Sequence, residues 1–135
     1  MGMGVTISRS ILAGMKKASM AAAPREACGL LLGAGREIER FTECANVSEV
    51  PEIRFEIEPA ALFAALRAER AGGPAVLGYW HSHPSGDATP SRTDAAMAAP
   101  DGKLWVILGG GAVTCWRAGA AGLWGRFAAE AWTIV

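Results

Sequence analysis

Three short runs, nearly free of charge, limit what this chain can fold into: Ala27 to Leu32, Ala75 to His83 and Leu104 to Leu108. Each has Gly or Pro close to both ends. A run that is apolar at nearly every position, not every second one, has no face to offer water, so it suits a buried strand. Buried strands need covering layers, and the segments between the runs supply them. Ser8 is placed to cap a helix running to about Ala22, with Ile11, Leu12, Met15 and Met20 as its apolar face and Pro24 as its stop. Pro59 suits the first turn of a second helix, carried by Leu62, Phe63 and Leu66 and ended by Gly72-Gly73. A short third helix is expected from Ser91 to Ala98, ahead of Pro100.

The remaining segments read as strands and loops. Val5-Thr6-Ile7 is a short strand. Arg36 to Phe41 alternates charge with Ile38 and Phe41, and should pair back on the first run across Gly33-Ala34-Gly35. Asn46 to Glu58 is extended or looped, with Phe55 and Ile57 pointing the same way. Leu104 to Leu108 and Val113 to Arg117 flank Gly109-Gly110-Gly111, a hairpin turn that lacks the lysine and helix of a phosphate loop. The stretch to Val135 holds a strand or two. Strands and helices alternate irregularly, which favours an α/β (α+β-like) mixed sheet with helices packed on it over a doubly wound parallel fold. With 135 residues, no repeat and no linker, the expectation is a single domain over residues 1–135.

Composition narrows the function classes. Thirteen basic and thirteen acidic residues cancel. Without a basic surplus the chain is a poor general binder of nucleic acid or anionic membrane, because electrostatics dominates both. No uncharged apolar run approaches the ~18 residues of a membrane span. The N-terminus lacks the basic-then-apolar order of a signal peptide. Met1-Gly2-Met3-Gly4-Val5-Thr6 formally fits a myristoylation pattern, but so short a pattern is met often by chance. Cys28, Cys44 and Cys115 are sparse, odd in number and without a C-x-x-C pair, so they read as reduced thiols. Abundant Ala and Gly suit a bacterial source, and the cytoplasm is the expected location.

The chain has only two histidines, and both fall in His81-Ser82-His83. At a strand end, residues two apart project from the same side, so the two imidazoles can ligate one metal ion. Asp94 lies eleven positions on, after a Gly/Pro loop and at the start of the short helix. Folding that helix back over the strand end would bring its carboxylate to the same point. Two nitrogens and one carboxylate oxygen leave a fourth tetrahedral position open for water, the layout of a catalytic zinc site. Such chemistry needs a proton acceptor, and Glu26, where the first helix gives way to the first apolar run, is the candidate. Each element also has a plain reading. H-x-H can be ordinary strand-end residues, Ser91 and Asp94 can be a helix capping pair, and Glu26 can be a solvated carboxylate.

Together these elements resemble a known family. His81-Ser82-His83-Pro84, six residues, then Ser91-Arg92-Thr93-Asp94 is similar to the JAMM motif of the MPN+ (Mov34/Pad1-like) metalloproteases. Pro24 to Gly33 resembles the segment that bears that family's catalytic glutamate, and Asn46-Val47 and Phe55 to Pro59 also match. The resemblance covers roughly residues 5–117. It implies a curved mixed sheet flanked by helices, related to the cytidine deaminase architecture. It implies His81, His83 and Asp94 as ligands of Zn2+, with Glu26 as general base for the metal-bound water and proton donor to the leaving amine. Ser91 would stabilise the developing oxyanion.

The resemblance also implies a substrate: an amide or isopeptide bond after the C-terminal Gly-Gly of a ubiquitin-like protein. The compact chain looks most like bacterial members that act on ubiquitin-like sulfur-carrier proteins. The alternative is a non-catalytic MPN-like module that binds a ubiquitin-like partner or scaffolds a homodimer, using whichever of its tryptophans are exposed. Most of Trp80, Trp105, Trp116, Trp124 and Trp132 are expected in the core. A zinc nucleoside deaminase would need H-x-E and P-C-x-x-C, and the chain has neither.

Overall fold

A computed structural model describes residues 4–135, so most of the formal myristoylation match, read as chance, lies outside the described residues. The chain runs β1 (Val5–Ile7), α1 (Arg9–Ala22), β2 (Cys28–Ala34), β3 (Glu37–Cys44), α2 (Pro59–Arg70), β4 (Ala75–Ser82), α3 (Arg92–Met97), β5 (Leu104–Gly109), β6 (Ala112–Leu123), β7 (Phe127–Ala129) and β8 (Trp132–Ile134). All the strands join one sheet in the order β7-β6-β5-β4-β2-β3-β1-β8. Pairing is antiparallel along β7-β6-β5 and β4-β2-β3, and parallel at β4–β5, β1–β3 and β1–β8. The expected mixed sheet is present, and it curls. Register shifts at Leu31/Leu32 and Leu32/Gly33 place irregularities in β2, which bend a strand and add twist.

The three apolar runs become the sheet's centre: β2, β4 and β5 are adjacent and each is covered on both faces. On one face Leu31, Trp80, Leu104, Val106 and Leu108 meet Leu12 and Met15 of α1. On the other, Leu30, Leu32 and Val76 meet Leu62, Ala65 and Leu66 of α2, while Phe55, Trp105 and Phe127 fill the space nearer the site. Close approach is possible at Gly29 because it has no side chain. A Cβ there would collide with the Thr42 carbonyl and the Trp80 indole, whose N–H donates to that carbonyl at 2.7 Å.

Helix starts follow the sequence. Ser8 caps α1 by accepting from the Ile11 amide at 3.1 Å, and Glu58 caps α2 by accepting from Ala60 and Ala61. Two apolar assignments are corrected. Met20 is 80% exposed and Phe63 61% exposed. At ~100° per residue, Met20 lies about 140° around the helix from Met15 and leaves the buried stripe; Phe63 is one step, ~100°, from Leu62. Trp80 and Trp105 are buried as expected, but Trp124 is exposed. The Gly110-Gly111 turn joins β5 to β6 with both residues at positive φ, which suits glycine. All three cysteines are free. Among the described residues, no helix is long and apolar enough to cross a membrane.

Candidate metal centre

Topology brings Glu26 to the histidines. β2 and β4 are antiparallel with Cys28 opposite His81, so the residues just before β2 lie beside those that end β4. Two bonds lock this junction: the Ser82 amide donates to the Ala27 carbonyl at 3.0 Å, and the Ala27 amide donates to Ser82 Oγ at 2.8 Å. The Glu26 backbone is held on both sides. Its amide donates to the Pro51 carbonyl at 2.7 Å, and its carbonyl accepts from Asn46 Nδ2 at 3.0 Å. Alternation then turns Glu26, His81 and His83 to one side, and a ligand atom from each lies within 4.8 Å of the others.

Asp94 arrives from α3. Ser91 Oγ accepts from the Asp94 amide and Asp94 Oδ2 accepts from the Ser91 amide, both at 2.9 Å, a reciprocal capping box. The plain reading of this pair is therefore correct and coexists with a second contact. Asp94 Oδ1 lies 3.1 Å from His81 Nε2, and Oδ2 lies 3.1 Å from His83 Nε2. The two Nε2 atoms are 3.0 Å apart. Glu26, His81, His83 and Asp94 are all buried, and Ser91 sits at the edge of the cleft beside them.

The chemistry of these donors can be tested. The second nitrogen of His83, Nδ1, is 2.6 Å from the Asp87 carbonyl, which can only accept, so Nδ1 carries the proton. In neutral His83 the Nε2 lone pair then points at the second imidazole nitrogen and at a carboxylate. Glu26 Oε1 and His81 Nδ1 are buried without hydrogen-bond partners. A buried cluster of imidazole nitrogens and carboxylate oxygens this close, with an orphaned carboxylate oxygen beside it, is unfavourable unless protons or a cation lie between its members. These residues fit a metal ion.

The four groups ionise differently. Burial pushes the Glu26 carboxyl up from 4.5 to about 7, with the Asp94 charge adding to the rise and His83 opposing it. Burial also acts to raise Asp94, but hydrogen bonds from His81 and His83 outweigh it and hold this carboxyl far below the usual range. His81, fully enclosed, is pushed down by burial. Burial lowers His83 too, yet contacts with Asp94 and the Asp87 carbonyl carry it above its ordinary value. Asp94 is thereby kept anionic and the charged form of His83 is favoured, while burial disfavours charge on Glu26 and His81.

Several participants were given no role by the sequence, although Asn46 and Phe55 lie in segments that match the family pattern. Phe55 stacks on His81 with ring centroids 4.4 Å apart and fixes the imidazole plane. Trp124 lines the same cleft as Glu26, His83 and Ser91. It lies in the β6–β7 hairpin, where local pattern gives no warning. Asn46 adds a local signal, since an Asn in a loop commonly bonds backbone.

The chain matches the prokaryotic homologues of the JAB domain over residues 8–119. It belongs to that family. It is 31% identical over 100 residues to the desampylase of Haloferax volcanii, covering 73% of this chain and 72% of that one. It is 36% identical over 97 residues to a probable TtuB-protein conjugate cleaving protease of Thermus thermophilus, covering 72% of this chain and 65% of that protein's length. Among solved structures, a protein from Desulfitobacterium hafniense superposes with a TM-score of 0.82 at 25% identity, covering 97% of this chain and 92% of that one. The JAMM metalloprotease-like zinc-site structure shares the fold, with a TM-score of 0.60 at 20% identity over 97% of both chains. The Thermus relative is named a probable protease and the Haloferax one a desampylase, and this JAB-family chain is a JAMM-type peptidase.

Proposed function

We propose that this chain is a zinc-dependent peptidase that cuts the amide or isopeptide bond after the C-terminal Gly-Gly of a ubiquitin-like or sulfur-carrier protein. One observation carries the reading: the Nε2 atoms of His81 and His83 lie 3.0 Å apart and each lies 3.1 Å from an Asp94 carboxylate oxygen, beside the unpartnered carboxylate oxygen of Glu26. His81, His83 and Asp94 would hold zinc. When bound, zinc supplies Lewis acidity to the scissile carbonyl and makes water a better nucleophile at neutral pH. Glu26 takes a proton from the attacking water. The water oxygen bonds to the carbonyl carbon, the C–N bond breaks, and Glu26 passes its proton to the departing nitrogen. Ser91 Oγ accepts from the Asp94 amide, which leaves its O–H free to donate to the oxyanion. The names of the Haloferax and Thermus relatives support a small protein modifier as the acyl side of the substrate. Three free thiols suit a reducing compartment, and we place the protein in the bacterial cytoplasm.

The test is zinc content by mass spectrometry together with hydrolysis of TtuB joined through its C-terminus to a lysine-containing peptide. We expect one zinc per chain and cleavage that a chelator abolishes. Glu26→Ala should keep zinc and lose turnover. Zinc-loaded protein that binds the conjugate without cutting it would favour the non-catalytic binding module instead.

A further inference from the structure

Asn46 is the one asparagine of the chain, and the chain has no glutamine, so this is its only side-chain amide. A carboxamide offers two N–H donors and an oxygen with two lone pairs. Asn46 uses all of them on backbone. Nδ2 donates to the Glu26 carbonyl at 3.0 Å and to the Arg54 carbonyl at 3.1 Å, with the Pro51 carbonyl further off at 3.4 Å. Oδ1 accepts from the Ser48 and Glu56 amides, both at 3.1 Å. The Glu26 amide completes the ring by donating to the Pro51 carbonyl at 2.7 Å.

Two of these bonds bracket a single residue. The Arg54 carbonyl and the Glu56 amide lie on either side of Phe55, the buried ring that stacks on His81. Backbone pairs at the loop's base join its two ends, Val47 amide to Glu56 carbonyl at 2.9 Å and Glu58 amide to Ala45 carbonyl at 3.2 Å, but they do not reach Glu26. Glu26 precedes β2, so its carbonyl lies outside the sheet ladder, and Asn46 supplies the donor it needs. Asn46 lines a different cleft from the one Glu26 shares with Ser91.

We infer that Asn46 is a positioning residue for the reaction: one carboxamide fixes Glu26 from one side and Phe55, and through it the His81 ring, from the other. A planar group bonded to both the base and the loop sets the distance between them, which the pairs at the loop's base leave free to vary. Proton transfer by Glu26 depends on that distance, and a misplacement of about 1 Å costs about 100-fold in rate. The inference rests on the peptidase reading.

The experiment measures kcat and KM on the TtuB–peptide conjugate, zinc content, and amide hydrogen exchange by NMR. Asn46→Ala should keep one zinc per chain and lower kcat about 10- to 100-fold, with a smaller change in KM. Asn46→Asp keeps an acceptor for the Ser48 and Glu56 amides but turns an oxygen on the Glu26 and Arg54 carbonyls. Its kcat should fall as far although its bonds to the two amides remain, and it carries the test if Asn46→Ala does not fold. Ser48→Ala, which removes the acceptor of the Val50 amide in the same loop, should stay within about twofold of wild type. In both Asn46 variants the Glu26 amide should exchange about tenfold faster or more, while the Leu31 and Val106 amides keep their protection. A kcat per zinc-loaded chain within about twofold of wild type in either Asn46 variant, or unchanged exchange at Glu26, would overturn the inference and leave Asn46 a loop anchor. Wild-type enzyme that cuts no conjugate would overturn the peptidase reading instead.

Discussion

Glu26 offers the sharpest test of how the site is balanced. Its carboxyl lies near 7 in the metal-free protein, against 4.5 in the unfolded chain, and the cause is burial. A carboxyl raised on folding binds more protons in the native state than in the unfolded state between those values. Its stability contribution is therefore intact below about 4.5 and is lost as pH rises towards 7. At ~1.36 kcal/mol per pH unit, the gap sets a ceiling of about 3 kcal/mol. Glu26 lines two clefts, so water relieves part of the burial, and about 2 kcal/mol is the expected effect. Glu26→Gln removes the titration while keeping the shape. Urea unfolding of zinc-free protein should show a stability gap between the Glu26→Gln variant and wild type near zero at pH 4.5. The gap should grow to about 2 kcal/mol in favour of the variant by pH 8. Zinc should shrink it, because a nearby cation favours the carboxylate. A difference that stays flat from pH 4.5 to 8 in zinc-free protein would refute the claim that Glu26 is held unfavourably charged.

Three further outcomes follow from the same geometry. Asp94→Asn keeps an acceptor oxygen for the capping box but removes the proposed anionic ligand, so isothermal titration should find zinc affinity down by about 100-fold or more while α3 persists in the circular dichroism. Ser82→Ala leaves the buried Ala27 amide without its side-chain acceptor, which should cost about 1–3 kcal/mol in denaturant unfolding and also reduce kcat by loosening Glu26. Gly29→Ala places a methyl against the Thr42 carbonyl and the Trp80 indole, so soluble yield should fall and stability drop by about 3 kcal/mol, whereas Met20→Glu should stay within about 0.5 kcal/mol of wild type.

The sheet's centre was legible because its strands have no polar face. Ala27 to Leu32 and Leu104 to Leu108 could only be covered on both sides, and they are. What local pattern does not encode is order. β4 inserts between β2 and β5, and β1 joins β3 and β8 in parallel, with partners more than a hundred residues apart in the last case. Pairings of that separation depend on the whole set of competing contacts, not on the residues of either strand. Met20 and Phe63 show the converse error. Both are apolar, but the rotation that each helix position imposes turns them away from the core.

The site divides along the same line. His81, His83, Ser91 and Asp94 were readable because one strand end and one helix start fix their mutual spacing within a dozen residues or so. Glu26 lies 55 positions before His81, and only the β2–β4 register, with Cys28 opposite His81, explains why it arrives. That register is enforced where it matters by Ser82, the residue between the two histidines. Its side chain turns to the opposite face from theirs and closes a bond to Ala27. The H-S-H tripeptide thus does two jobs on two faces: two imidazoles point into the candidate metal centre while the serine between them anchors the strand beside Glu26, the proposed base. A Ser82→Thr replacement keeps the hydroxyl and should keep activity. Ser82→Ala with normal zinc content but depressed kcat would separate the positioning of the base from the holding of the metal, which no change at His81 or His83 can do.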